Sequence, residues 1–415
     1  MSSIRRTVVV VTFFLLTGGI GYYFGQRKTF FQTTSESPQA KIERSIPTEK
    51  AGKIDLSLFW QTWDELERKH LNRKKFDYQK MVYGAISGMV ASLDDPYTVF
   101  LPPRENKETK DDLRGDFEGV GIQIGYNKDQ RLTVIAPLSG TPAEKAGLKA
   151  SDMILKIVDK NNGIDKDTAG ISLPEAVRLI RGKRGTEVVL TIQRQGVEKP
   201  WEIALKRETI VVKSVELTFK ENNGKKVAVI KLSRFGERTY QEWGEVIAEI
   251  RNKKSEIRNF GGVILDLRNN PGGFLDGAVY IAGEFLSSGV VVQQDSGVNG
   301  KDLLSVNRNG SLLKDKLVVL VNEGSASASE IVAGALQEYK RGTLVGMKTF
   351  GKGTVQEAID LSGANGAGLH VTVSRWLLPS GKTIDKDGVK PDIEIKPDEK
   401  DMTKDLQLEK AMELF

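Results

Sequence analysis

The stretch NEGSASASEIVAGALQ (322–337) gathers three small hydroxyls and an acid, Ser325, Ser327, Ser329 and Glu330, at one junction. The residues before it, KLVVLV (316–321), form the apolar β-branched run of a buried strand. After it Ile331, Val332, Ala335, Leu336 and Tyr339 recur at helical spacing. The serines therefore belong to a strand-to-helix turn, where two kinds of chemistry are open. Ser327 followed three residues later by Glu330 fits a capping box, in which two orphan amides are satisfied reciprocally. A serine here could instead be a nucleophile, because a helix N-terminus offers free backbone N–H groups where an oxyanion would form. Capping and nucleophilic attack are compatible, so the choice turns on whether a base is at hand.

Lys352 is a candidate base. It lies in Phe350-Gly351-Lys352-Gly353, with Gln356 four residues on. Ser-Lys pairs replace the histidine of a triad in known variants. An unperturbed lysine titrates near ~10.4 and is almost wholly protonated at neutral pH. Such a site must bury Lys352 and lower its pKa, leaving a neutral amine within hydrogen-bond reach of the serine. The alternative for Lys352 is a solvated loop charge, but its two flanking glycines suit close approach of backbone to a substrate. Of the two histidines, His70 falls on the polar side of a helix beside Lys69. His370 shares one face of an alternating strand with Thr372 and Ser374, and neither histidine is assigned the base.

Other chemistries fail on particular residues. The run 346–352 matches the opening of a P-loop, but Gly353 stands where Ser or Thr must bind magnesium. The residues that follow, 354–359, alternate as a strand rather than forming the required helix. There is no His-Glu-x-x-His and no cysteine, so a metal peptidase has no ligand set. Asp385-Lys386-Asp387-Gly388 lacks the rest of an EF-hand pattern and reads as a turn. No cofactor and no metal is expected.

The elements that must position these groups follow from the patterning. GGVILDL (261–267) is a buried strand ending in RNNPGG (268–273), a glycine-rich turn that leads into FLDGAVYIAGEFL at helical spacing. TLVGM (343–347), TFGKGTVQEAIDL (349–361) and LHVTVSRWLLP (369–379) follow the serine turn. This alternation over 207–398 argues an α/β core with mostly parallel strands. Upstream, the short strands and turns FEGVGIQIGY, QRLTVIAPL and SGTPAEKAGLKASDMILKIVD resemble a PDZ domain, assigned to 113–206. Gly119, Val120, Gly121 and Ile122 stand where such a domain has its carboxylate-binding loop. Gln123, Ile124 and Gly125 follow as the ligand-pairing strand, and SLPEAVRLIRG (172–182) as the groove helix. Successive amides in a glycine-rich turn form an anion nest, and an open sheet edge accepts an extended peptide. A free C-terminus satisfies both at once.

Toward the N-terminus, Arg5 and Arg6 precede TVVVVTFFLLTGGIGYYFG (7–25), an uncharged run long enough to span a bilayer. Tyr22 and Tyr23 fall where interfacial aromatics belong, and no A-x-A-like cleavage site is evident. Residues 1–28 are therefore read as a retained signal-anchor with the bulk of the chain extracytoplasmic, and 29–53 as a flexible tether. Leu58, Phe59, Trp63 and Leu66 form one apolar face of a helix that opens an N-terminal helical domain, 54–112. At 415 residues and 39% hydrophobic content the chain can build two or three packed cores. Its net charge of +6 is interspersed, which argues solubility rather than a nucleic-acid surface. Zero cysteines excludes disulfides and cysteine nucleophiles. Leu406, Leu408, Ala411, Met412 and Leu414 give 399–415 an amphipathic helix expected to lie outside the core.

Taken in order, LDDPYTVFL (93–101), the PDZ elements, RNNPGG, NEGSASASE, KTFGKGTVQ and GVKPDIEI (388–395) resemble a carboxyl-terminal processing peptidase, or tail-specific protease, over about residues 55–395. The resemblance implies a multidomain α/β protein: an N-terminal helical region, a PDZ domain of β-barrel-like build, and a peptidase core of crotonase-like type. It makes Ser327 the nucleophile, because the family's serine stands twenty-five residues before the lysine of F-G-K-G, here Lys352. It further makes Gln356 the residue that orients the lysine and Glu330 a supporting group. Gly273 and the amide of Ala328 would form the oxyanion hole. Protein or peptide substrates with free C-termini are implied, and a homodimer is compatible with the family. A PDZ scaffold with a dead core is the competing reading, and the intact Ser327, Lys352, Gln356 and PGG speak against it.

Overall fold

The computed structural model describes residues 55–297, 300–361, 365–398, 401 and 404–415. The apolar run 7–25 and the tether 29–53 lie outside the described residues. Among those described, no helix is long and apolar enough to cross a membrane. The chain divides into two compact units, residues 1–82 and 83–415.

In the first unit the leading described element is α1 (Ser57–Lys69). The apolar face expected of it is reduced to one anchor. Trp63 is buried, with its ring stacked 6.0 Å from that of Tyr78, while Leu58, Phe59 and Leu66 remain exposed. The next helix, α2 (Tyr78–Ala91), spans the boundary between the units.

The second unit continues through β1 (Val99–Leu101) into α3 (Pro103–Arg114). Proline at the first turn and left-handed Gly115 just past the end delimit α3 as helix chemistry prefers. The short strand β2 (Asp116–Gly119) then enters the PDZ domain. Its elements are β3 (Ile122–Tyr126), β4 (Leu132–Pro137), α4 (Pro142–Lys145), β5 (Met153–Asp159), β6 (Ile164–Asp167), α5 (Leu173–Ile180), β7 (Glu187–Gln193) and β8 (Trp201–Lys206). The strands form an antiparallel sheet in the order β3-β4-β5-β7-β8, with β6 on β5. Val188, Leu190 and Ile192 alternate inward along β7 and pack with Leu132, Val134, Ile154, Ile157 and Ala176. Arg207, fully buried beyond β8, pairs with Asp159 at 2.9 Å and donates to the carbonyls of Leu179 and Ile180. A buried charge needs that full set of partners, and together they fasten the end of α5.

β9 (Glu208–Val211) pairs antiparallel with β2 on the way to the peptidase core. That core contains β10 (Val215–Asn222), β11 (Lys225–Leu232), α6 (Thr239–Glu256), β12 (Phe260–Asp266), α7 (Leu275–Ala282), β13 (Val290–Asp295), β14 (Lys301–Ser305), β15 (Leu317–Val321) and α8 (Ala328–Glu338). It is completed by β16 (Thr343–Gly346), β17 (Thr354–Asp360), β18 (Gly368–Leu377), β19 (Ile393–Glu394) and α9 (Leu406–Glu413). The main sheet runs β10-β11-β12-β15-β16-β19 and is parallel except for the β10-β11 pair. All five residues of β15 are buried, as befits a strand covered on both faces. One face packs α6, α7 and α8 through Trp243, Ile250, Ala278, Ile331 and Leu336.

The opposite face carries Val227, Val229, Ile264, Val318, Leu320 and Val345, and α9 covers it with Leu408, Ala411, Met412 and Leu414. The C-terminal helix, expected outside the core, is thus a layer of it. Its apolar stripe is the lid that a two-faced parallel sheet requires. A second sheet, antiparallel, runs β1-β18-β13-β14 with β17 on β18.

Candidate active site

The serine turn is where the main sheet hands over to α8. Ser327 caps that helix with φ 55° and ψ −116°, a conformation that side-chain-bearing residues rarely adopt and that the surroundings must hold. Several bonds do so. Ser325 Oγ donates to the carbonyl of Leu267 at 2.8 Å, and Asn322 N donates back to Ser325 Oγ at 3.0 Å. Ser329 Oγ donates to the carbonyl of Asn270 at 2.9 Å, and Ala326 N reaches the same oxygen at 3.0 Å. Asn270 is itself fixed, its Nδ2 on the carbonyl of Leu232 and its Oδ1 taking the amide of Gly272. Ser325 and Ser329 are therefore committed to the turn, and Ser327 is left.

Ser327 and Glu330 form the expected capping box: Glu330 Oε2 accepts from Ser327 N at 2.8 Å, and Glu330 N faces the Ser327 side chain while donating to the Ser327 carbonyl at 2.8 Å. Glu330 is fully buried and also accepts from Thr349 Oγ1 at 2.5 Å, Gly351 N at 2.7 Å and Lys352 N at 3.0 Å. Burial pushes its carboxyl up from the ordinary range, against the pull of those hydrogen bonds. Three backbone amides and one hydroxyl thus converge on this acid. One acid thereby ties the backbone of the serine turn to that of the lysine loop.

The turn at 268–273 sits beside Ser327. Gly272 takes φ +97°, and a Cβ on it would lie 2.8 Å from Ser327 Cβ and 2.9 Å from Ala328 N. Gly273 takes φ +139°, and its Cβ would lie 2.0 Å from the carbonyl oxygen of Phe235. Only glycine fits either place. Among the described residues, neither Gly273 N nor Ala328 N donates a hydrogen bond, which leaves two amides beside the serine. These are the two assigned to the oxyanion hole.

Lys352 is held by its backbone. Its carbonyl accepts from Trp376 Nε1 at 2.8 Å, and its Nζ lies 5.0 Å from the centre of the Tyr97 ring. Burial holds its pKa below the ordinary lysine value, with the charges of Asp95 and Glu330 opposing. Ser327 and Lys352 line one cavity of about 560 Å³ together with Gly273, Ala328 and Gln356. No hydrogen bond joins Ser327 Oγ to Lys352 Nζ among the described residues. Gln356, on β17, donates through Nε2 to Thr354 Oγ1 at 2.9 Å and Thr372 Oγ1 at 3.0 Å, leaving Oε1 as its acceptor. His370 lines the same cavity, and burial and the Lys352 charge both lower its pKa.

The sequence reading gave no role to Asp95, Tyr97, Thr98, Asn270, Thr372 or Trp376, all of which contact this machinery. Asn270 had a readable signal in the Asn-Asn of the turn. The others come from positions remote in sequence.

In the PDZ domain Gly119 ends β2, Val120 and Gly121 make the turn, and Ile122 opens β3. Gly121 has φ +77°, and Thr141 packs so closely that a Cβ there would lie 2.3 Å away. Among the described residues neither Val120 N nor Gly121 N donates a hydrogen bond. β3 is an edge strand with α5 beside it. A nest of amides and an open edge therefore coincide.

Three family models match the chain: the activating protease CtpB N-terminal domain at residues 15–106, the PDZ domain at 109–193 and peptidase family S41 at 226–395. The carboxyl-terminal-processing protease of Synechocystis is 36% identical over 94% of this chain and 88% of its own length. The carboxy-terminal processing protease CtpB of Bacillus subtilis is 34% identical over 96% of this chain and 79% of its own. Carboxy-terminal processing protease CtpA of B. subtilis is 39% identical over 77% of this chain, which spans 65% of that protein's length. Among solved structures, a photosystem II D1 C-terminal processing protease superposes with a TM-score of 0.50 at 29% identity, covering 85% of this chain and 94% of that one. An S41 protease from Bacteroides fragilis, at 18% identity and a TM-score of 0.55, shares the fold. The chain belongs to peptidase family S41, the carboxyl-terminal processing serine peptidases with a PDZ domain.

Proposed function

We propose that this chain is an endopeptidase that cuts proteins near their C-terminus through a Ser327–Lys352 dyad, the substrate's tail being read by the PDZ domain. The neutral amine of Lys352 takes the proton of Ser327 Oγ as that oxygen attacks the scissile carbonyl. The oxyanion settles on the amides of Gly273 and Ala328. The ammonium of Lys352 then gives its proton to the departing amine, leaving an acyl-enzyme that water hydrolyses with Lys352 again as base. Gln356 Oε1 is available to accept from the lysine amine and fix its direction. Residues 7–25 are proposed to anchor the protein with its catalytic part outside the cytoplasm.

One observation carries this reading. A serine in a strained backbone conformation shares a cavity with two undonated amides and a lysine whose pKa burial lowers. The test is incubation of the chain from about residue 29 with an unfolded protein ending in apolar residues. Wild type is expected to cleave it, while Ser327→Ala and Lys352→Arg are not. Arginine keeps the charge but cannot be deprotonated, so a working Lys352→Arg protein would overturn the dyad. Equal cleavage by Ser327→Ala would overturn the nucleophile, and no cleavage by wild type would favour a PDZ scaffold.

A further inference from the structure

The lysine's setting is completed by a segment remote from it in sequence. The stretch 94–98 brings Asp95, Tyr97 and Thr98 against β18. Asp95 Oδ1 accepts from Tyr97 N at 3.0 Å, and its Oδ2 accepts from Thr98 Oγ1 at 2.6 Å. Thr98 Oγ1 in turn accepts from Thr372 N at 3.0 Å, a bond between residues 274 positions apart. Against the effect of burial, hydrogen bonding from the Thr372 side chain holds the Asp95 carboxyl below its ordinary value. A threonine hydroxyl has one proton to give. If it goes to Asp95, the bond between Thr372 Oγ1 and Gln356 can run only one way, from Gln356 Nε2 to the threonine.

We propose that Asp95 is a positioning residue for the general base, fixing the Gln356 amide through Thr372 and acting on Lys352 by its charge. The inference rests on the dyad reading of the site. The chain is directional: Gln356 N–H to Thr372 O–H to the Asp95 carboxylate. A carboxylate only accepts, so its end of the chain is unambiguous, and every donor behind it is oriented in turn. The Gln356 nitrogen is thereby turned toward Thr354 and Thr372, and Oε1 is kept as the atom that can accept from the lysine amine. An uncharged amide at position 95 would impose no such direction. Gln356 could then turn over and present a donor to the atom whose lone pair must take the serine proton.

The charged and titratable groups around Lys352 are few. Asp95 from the 94–98 stretch and Glu330 from α8 favour its ammonium, and burial opposes them. Tyr97 faces it with a ring, and His370 on β18 feels its charge. Asp385 acts on Tyr97. Removing the Asp95 charge therefore leaves burial less opposed.

The experiment measures kcat and the pH dependence of kcat/KM for the soluble chain cutting a peptide with a free apolar C-terminus. Asp95→Asn is expected to lower kcat about 10- to 100-fold, the scale of a misplaced catalytic group, with KM little changed. Its acid limb is expected to move to lower pH, because a charge that favoured the ammonium is gone. Thr372→Val should lower kcat comparably while leaving the acid limb in place, since Asp95 keeps its charge. Thr372→Ser retains the hydroxyl and should restore the rate. Wild-type kcat and an unmoved acid limb in Asp95→Asn, beside an inactive Ser327→Ala, would overturn this role alone. Loss of rate with an unmoved acid limb in Asp95→Asn would reduce Asp95 to a structural part and overturn it as well. An active Ser327→Ala protein would overturn the dyad and this role with it. Should Thr372→Val fail to fold, Asp95→Asn and Thr372→Ser still decide.

Discussion

Lys352 and Glu330 are both buried titratable groups, and they are stabilised in opposite ways. Glu330 takes hydrogen bonds from three backbone amides and the Thr349 hydroxyl. Glu330→Gln turns an NH₂ toward those donors, so we expect a loss of about 1.5–3 kcal/mol in unfolding free energy, the range for hydrogen bonds to a charged group. Denaturant unfolding measures it, and an unchanged midpoint would mean the carboxylate is dispensable. Lys352 has its pKa lowered by burial. Between that lowered value and the ordinary 10.5, the unfolded chain binds more protons than the folded one, so stability rises with pH across the window. Lys352→Met removes this dependence. The variant is expected to be more stable than wild type at pH 7, with the gap narrowing as pH approaches 10. A gap that is constant or widens would contradict a depressed lysine. Serine and lysine were legible as residues because each is anomalous in its setting: a hydroxyl at a strand-to-helix turn, a cation between glycines. Asp95, within the LDDPYTVFL motif, and Thr372 carried no role there, because an acid in a loop and a threonine in a strand are ordinary until the fold brings them together.

At the scale of elements, the strands and helices around the site announced themselves by period. KLVVLV is β15, GGVILDL lies on β12, and 354–360 alternates as β17. What period does not reveal is pairing, and the site depends on it. β17 lies antiparallel on β18 with Gln356 opposite Thr372, which is what joins the Asp95 network to the lysine loop. The apolar stripe of α9 was visible, but the sheet face beneath it was not, because a strand buried on both sides shows no alternation. The turn between β12 and α7 has little freedom. Its Gly273 lies so close to Phe235 that any side chain must displace backbone. Gly273→Ala is therefore expected to move the amide that faces the oxyanion and to lower kcat about 10²- to 10³-fold, the effect of losing one such donor. Gly224→Ala is the comparison, since that turn glycine has a positive φ but open space around its Cβ position. Equal activity in the two variants would mean that the close approach at Gly273 has no catalytic consequence.

Across the whole second unit, one helix borders two cavities. α3 contributes Thr109, Asp112 and Leu113 to the cavity that holds Ser327 and Lys352. Its other side contributes Arg104, Lys107, Glu108 and Asp111 to a cavity of about 800 Å³ shared with Phe117, Glu118 and Arg181 of the PDZ domain. Asn106 and Lys110 pin α3 to Asp360, the last residue of the strand that carries Gln356. In the proposed reading, recognition at the Gly119–Ile122 turn rests on the tail's charge, because the Val120 and Gly121 amides can only donate. Amidating the substrate's C-terminus removes that charge while leaving its side chains in place. One charged hydrogen bond contributes roughly 1.5–3 kcal/mol, so KM for an amidated peptide is expected to rise at least about tenfold. Once bound, the amidated peptide meets the same serine and lysine, and kcat should change far less than KM. Steady-state cleavage of matched free-acid and amide peptides by the full soluble chain separates these terms. Equal KM for the pair would show that the tail is not read by its carboxylate.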